Sequence, residues 1–141
     1  MFYNFNVLFL STSNIKYIKY IKYKMTEYIK HLSEPWFSLI KLGIKKCEGR
    51  LKKGDFADIK KGDYIIFKNN DFGFIRSYRV KIISIINYNT FKEYLKNESL
   101  EKCLPGIDTL EQGINIYYKY YTKEDEEQYK IVAIRLKVTN S

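Results

Sequence analysis

Arg79 to Tyr88 reads RVKIISIINY, and no other stretch restricts the fold as strongly. Val80, Ile82, Ile83, Ile85 and Ile86 are all β-branched, which favours a pleated strand over a helix. The apolar middle of the run predicts burial on both faces, and so a strand inside a sheet with cover on either side.

The rest of the chain supplies that sheet and its cover. Tyr64–Phe67 (YIIF) is a run of strand-formers behind the turn signal Lys61-Gly62-Asp63, and Asn69 to Gly73 forms the next turn. Residues 28–32 (YIKHL) and 44–51 (IKKCEGRL) are shorter strand signals. The segment 130–138 closes the chain as a strand, with Val132, Ile134, Leu136 and Val138 alternating against Arg135 and Lys137. Residues 52–61 form a polar connection.

Helix signals are fewer. Pro35-Trp36 opens a helix that Ser33 or Glu34 can cap, with Trp36, Leu39 and Ile40 on one face and Gly43 as the residue that ends it. Thr90 caps a second helix with Phe91, Tyr94 and Leu95 on one face. Thr109 to Tyr121 has helical spacing, and the acid-rich 123–128 reads as a solvated turn or a helix end. Strands outnumber helices and their connections are short. The fold class is α+β: a small, mostly antiparallel β-barrel or sheet flanked by helices.

Length and composition narrow the function. The 141 residues suit one domain. The formal charge of +9 favours polyanionic partners. Residues 1–24 carry Lys16, Lys19, Lys22 and Lys24 and no acid, which leaves +5 for the remainder. With its threefold Ile-Lys-Tyr repeat, this segment is expected to be a basic, disordered extension to a domain over 25–141, and Met25 is an alternative start. Its apolar run is too short to span a bilayer, so no membrane partner is expected. Cys47, Cys103 and His31 have no metal-ligand spacing, so neither a zinc site nor another cofactor is expected. Two free thiols fit a reducing compartment, cytoplasmic or nuclear, with one disulfide left open.

The polar groups that carry a functional reading follow the first helix. Lys45, Glu48 and Arg50 fall within six residues. Glu48 and Arg50 share a strand face, whereas Lys45 has the opposite parity. The three converge only if the strand bends or begins after Lys45. As a site, Lys45 and Arg50 would meet phosphate or base edges, and Glu48 would accept from a base amino group or act as a general base. As scaffold, Glu48 and Arg50 would form a same-face ion pair. Trp36 and His31 are candidates to line the same cleft, Trp36 by stacking on a base. The tyrosines Tyr117, Tyr118, Tyr120 and Tyr121 read as helix packing in a Tyr-rich composition.

The pattern Gly43-x-Lys45-x-x-x-x-Arg50, with Glu48 inside it, resembles the G-x-K-x-x-x-x-R motif of the ASCH domain family. Pro35-Trp36 at the preceding helix and the element order down to the strand 131–138 add to the resemblance, which spans roughly residues 28–138. The resemblance implies a PUA-like barrel with a cleft beside the motif, and a role in binding RNA or a nucleotide, for which Lys45, Arg50, Trp36 and His31 are the candidate contacts. It also implies two alternatives. One is an enzyme, an amidohydrolase acting on N4-acylated cytidine or a ribonuclease, with Lys45, Glu48 and Glu98 as catalytic groups. The hydrolase branch uses a threonine three residues after its lysine, and here that position is Glu48. The other alternative is a protein-interaction module in a transcription or RNA-processing assembly.

Overall fold

A computed structural model describes residues 25–139. The expected N-terminal extension over 1–24 lies outside the described residues. The strands are β1 (Glu27–His31), β2 (Cys47–Leu51), β3 (Tyr64–Asn69), β4 (Arg76–Tyr88) and β5 (Ile131–Val138). The helices are α1 (Trp36–Lys41), α2 (Asp55–Asp58), α3 (Phe91–Glu98), α4 (Leu100–Cys103), α5 (Leu110–Tyr118) and α6 (Lys123–Tyr129).

One five-stranded sheet runs in the order β1-β3-β4-β5-β2. The β1–β3 pair is parallel, with Ile29 opposite Ile66, and the other pairs are antiparallel. The sheet curls into an open half-barrel, not the closed barrel expected. β1 and β2 stand at its two edges, and side chains span the opening between them. Arg50 Nη2 donates to the main-chain oxygen of His31 at 3.1 Å, joining β2 to the end of β1. From α2, Phe56 lies 5.0 Å beneath both Lys30 of β1 and Arg50 of β2. Lys30 also pairs with Asp55 at 2.7 Å. The open seam is therefore closed by side chains in place of a backbone ladder.

Two cores flank the sheet. The first lies under α1 and contains Phe37, Ile40, Ile65, Phe67, Val80 and Ile82. The second lies under α3, α4 and α5 and contains Cys47, Phe91, Tyr94, Leu95, Cys103 and Tyr117. The strand most fully buried on both faces is β5, while β4, to which the sequence pointed, is only partly covered on each. Ile131 and Ala133 enter the second core while Val132 and Ile134 enter the first. β5 alternates with solvent only from Arg135 onward. β4 has a bulge between Ile82 and Ser84 that turns Ile83 out, leaving it 43% exposed. Beyond the bulge, Ile85 packs on the first core and Ile86 on the second. An apolar run fixes strand character, but the helices decide which strand they cover, and α3 to α5 settle over β2 and β5.

Local signals place the helices. Thr90 Oγ1 accepts from Glu93 N at 3.1 Å, and Thr109 forms a capping box with Gln112. Gly43 follows α1 with a φ of +76°. Pro35 sits at the N-cap without a side-chain cap bond, and Glu34 instead receives the Ser38 hydroxyl at 2.6 Å. Phe37, with no place on the expected face, is buried beside Ile40, while Leu39 is only half-buried. The acid-rich segment is helix α6, capped by Thr122 and Asp125. Its Glu126 is buried because it accepts from Phe91 N at 2.7 Å and from Tyr118 Oη at 2.8 Å.

Gly49 of β2 has no room for a side chain. A Cβ there would stand 2.5 Å from the ring of Tyr94, which is fully buried. Gly49→Ala is expected to destabilise the fold by about 1–3 kcal/mol in urea denaturation, the cost of overpacking a filled core. An unchanged midpoint would show that the Tyr94 ring is not seated against β2.

Candidate functional site

α1 ends at Lys41, Gly43 turns the chain after it, and the amides of Ile44 and Lys45 both turn back to Leu39 O at 3.0 Å. This turn precedes β2, which begins only at Cys47. Strand parity therefore does not govern Lys45, and its side chain folds inward. The Lys45 ammonium donates to Cys47 O at 2.6 Å and to the main-chain oxygen of Cys103. It also pairs with Glu48 Oε1 at 3.1 Å. Three acceptors match the three donors of an ammonium. Lys45 is 1% exposed and lies 5.7 Å from the centre of the Trp36 ring.

Glu48 links this buried lysine to Arg50. Its Oε1 faces Lys45 and its Oε2 accepts from Arg50 Nε at 2.6 Å. Burial pushes the Glu48 carboxyl up, but the charges of Lys45 and Arg50 outweigh it and hold the group below its ordinary value. Arg50 is shifted in the complementary sense: burial lowers it, the Glu48 charge raises it more, and it stays protonated. The Arg50 Nη1 makes no hydrogen bond among the described residues. The sequence supplied both alternatives for these residues, ion pair and site, and the geometry joins them in one cluster.

The cluster faces a cavity of about 180 Å³ in the seam between the sheet edges. Trp36 and His31 line it with Lys45, Glu48 and Arg50. Three tyrosines line it too: Tyr117 of α5, and Tyr120 and Tyr121 just after that helix. Tyr117 and Tyr121 both stack on Phe91, at 4.6 and 5.6 Å between ring centres, so they serve packing as expected. Tyr120 is 65% exposed at the rim. Their role as cavity wall went unread in the sequence, although the i, i+3, i+4 spacing of Tyr117, Tyr120 and Tyr121 is the signal for a shared face.

Glu98 lies elsewhere. It lines a separate cavity with Lys46, Cys47, Lys102 and Arg135. Arg135 Nε and Nη2 hold it at 2.7 and 3.0 Å, and the Tyr88 hydroxyl donates to it. Burial raises the Glu98 carboxyl, and the bonds from Arg135 and Tyr88 more than reverse that. The Cys47 thiol is 3.7 Å from Glu98 Oε1, on the face of β2 opposite Glu48. Cys47 and Cys103 are both buried free thiols. Among the described residues, no group of three His, Cys, Asp or Glu side chains stands ready to hold a metal ion, and no helix is long and apolar enough to cross a membrane.

Lys45→Met removes one partner from a buried pair and is expected to cost about 3–5 kcal/mol of stability by urea denaturation. A loss under about 1 kcal/mol would mean that the pair is solvated. The folded Glu48 value lies below the unfolded one, so its ion pairs contribute fully above the ordinary pH of 4.5 and fade as pH falls through the folded value. The stability gap between the parent and Glu48→Gln should therefore narrow below that pH in thermal melts. A gap that stays constant down to pH about 2 would show that Glu48 is not the titrating partner.

The profile of the ASCH domain matches residues 31–140. The crystal structure of the hypothetical protein PH0355 is similar, with 37% identity and a TM-score of 0.73, covering 81% of this chain and 100% of that one. The solution structure of protein PF0455 from Pyrococcus furiosus is also 37% identical, with a TM-score of 0.67, covering 82% of this chain and 100% of the other. No curated protein matches the chain at a comparable level. With the profile match over most of the chain and two solved structures at 37% identity, the protein belongs to the ASCH domain family.

Proposed function

We propose that the seam cavity binds one base of an RNA strand or of a free nucleotide. The observation that carries this reading is the ionised Glu48, clamped between Lys45 and Arg50 on a wall that faces aromatic rings. Glu48 is an acceptor with unused lone pairs, and Arg50 Nη1 is a donor beside it. Nucleobase edges present donors and acceptors side by side, so this pair reads such an edge. Trp36 and Tyr120 offer ring faces, and stacking contributes about 1–3 kcal/mol per base. At about 180 Å³ the cavity falls below the roughly 300–1,000 Å³ of sites for drug-sized ligands, a size that favours a single base over a duplex.

Binding is favoured over hydrolysis by two features. The Lys45 ammonium already spends its donors on Cys47 O, Cys103 O and Glu48. Glu98, the further acid that the hydrolase alternative uses, faces another cavity and is held by Arg135.

Trp36 is the only tryptophan in the chain, so its emission reports on this cavity alone. Adding nucleoside monophosphates or a single-stranded oligoribonucleotide is expected to quench it saturably. Tyr120→Ala and Arg50→Ala should each weaken that binding about 5- to 150-fold, the equivalent of ~1–3 kcal/mol. Emission that stays unchanged up to millimolar nucleotide, or variants that bind as tightly as the parent, would overturn the assignment.

A further inference from the structure

A carboxylate on the cavity wall repels phosphate, so a bound strand must place its phosphates elsewhere. Lys45 also lines a second depression, of about 490 Å³, between the C-terminal end of α1 and β5. That depression continues into the Arg135 cavity of about 320 Å³, the two sharing Lys46, Ile83 and Leu136. Together they form a groove that starts behind the cluster and crosses the outer end of the sheet.

The groove is strongly basic. Lys41, Lys46, Lys102 and Lys137 line it, and among the described residues none of them makes an ion pair. Its acid is Glu98, which is already bonded to Arg135. At the rim, Lys81 of β4 stands directly opposite Lys137 of β5 in the antiparallel register, and both are exposed. Like charges placed opposite across a ladder destabilise the sheet. A polyanion laid over the pair removes that repulsion. The bulge that turns Ile83 outward, and Leu42 at 70% exposure, add apolar floor between the ammonium groups.

We infer that this groove carries the sugar-phosphate backbone of a single-stranded RNA whose base occupies the seam cavity. The inference rests on the function proposed above. Concavity favours a strand over a bilayer, because a chain follows a groove while a membrane surface meets a flat or convex face. Lys45 lines both the base cavity and the groove, and its buried side chain stands between them.

The test compares two ligands and two sets of variants. The ligands are a nucleoside monophosphate, followed by Trp36 emission, and a single-stranded oligoribonucleotide of about twelve nucleotides, followed by anisotropy over a salt series. Lys46→Gln, Lys102→Gln and Lys137→Gln are combined, with Lys60→Gln plus Lys61→Gln as a control pair outside the groove. The triple variant is expected to bind the oligomer at least tenfold more weakly. Its salt slope should drop by about 2, at ~0.7 for each phosphate that is no longer neutralised. Its mononucleotide affinity and thermal midpoint should match the parent, and the control pair should bind normally. An oligomer that needs Arg50 but ignores the triple substitution overturns the groove and leaves the base cavity standing. A parent that binds neither ligand overturns both readings. Groove-dependent binding to phosphatidylserine vesicles, with RNA affinity unaffected, overturns the inference in favour of a membrane surface. A triple variant that loses mononucleotide and oligomer equally overturns it as well, since the lysines would then act through the cavity.

Discussion

Lys45 is buried with its charge, and much of the site geometry follows from how that charge is satisfied. Its ammonium holds Cys47 O at the start of β2, Cys103 O at the end of α4 and the Glu48 carboxylate. Two distant parts of the chain, the start of β2 and the end of α4, are thus tied to one atom. Removing an ammonium from water costs several kcal/mol, and only close, complete hydrogen bonding offsets it. Glu48 is in turn ionised because Lys45 and Arg50 flank it, and Arg50 reaches on to His31 O at the far sheet edge. The chain Lys45, Glu48, Arg50, His31 spans the opening of the half-barrel. The groups that close the seam are the same groups that line its cavity.

That coincidence links architecture to function. An exposed sheet edge is a liability because its unpaired backbone groups recruit other strands. Here the two edges face each other across a cavity, with Phe56 and Arg50 covering part of the gap. The seam leaves space beside fixed charges and aromatic rings, and a closed ladder would have filled it. On the outer side, the Ile83 bulge and the facing lysines Lys81 and Lys137 leave a surface poorly optimised for the isolated fold. Features that cost stability without serving the core are where ligand contact is expected.

Legibility in the sequence followed the range of the interaction. Gly43, Thr90 and Thr109 act within one helical turn, and each did in the structure what its residue type requires. The condition for Lys45 to meet Arg50 was also local: the strand had to begin after Lys45, and it begins at Cys47. Layer cover was not legible, because hydrophobic pattern does not say which strand the helices will settle on. That is why β5 proved most fully buried on both faces and β4 only partly so, at Ile85 and Ile86. The short helices α2 and α4 lack the length for a periodic signal. The placement of Glu98 depends on Arg135, 37 residues away, and Tyr120 reaches the seam only through the packing of α5 on α3. A strong compositional bias toward tyrosine also masked the face that Tyr117, Tyr120 and Tyr121 share.

The most direct measurement is a titration of isotope-labelled protein with a short single-stranded oligoribonucleotide, followed residue by residue by NMR. The largest shifts are expected to gather at Trp36, Glu48, Arg50 and Tyr120 and to extend to Lys46 and Lys137. Shifts confined to the loop from Phe72 to Ile75 or to α6, with the Trp36 indole and the Arg50 guanidinium unmoved at saturation, would contradict it.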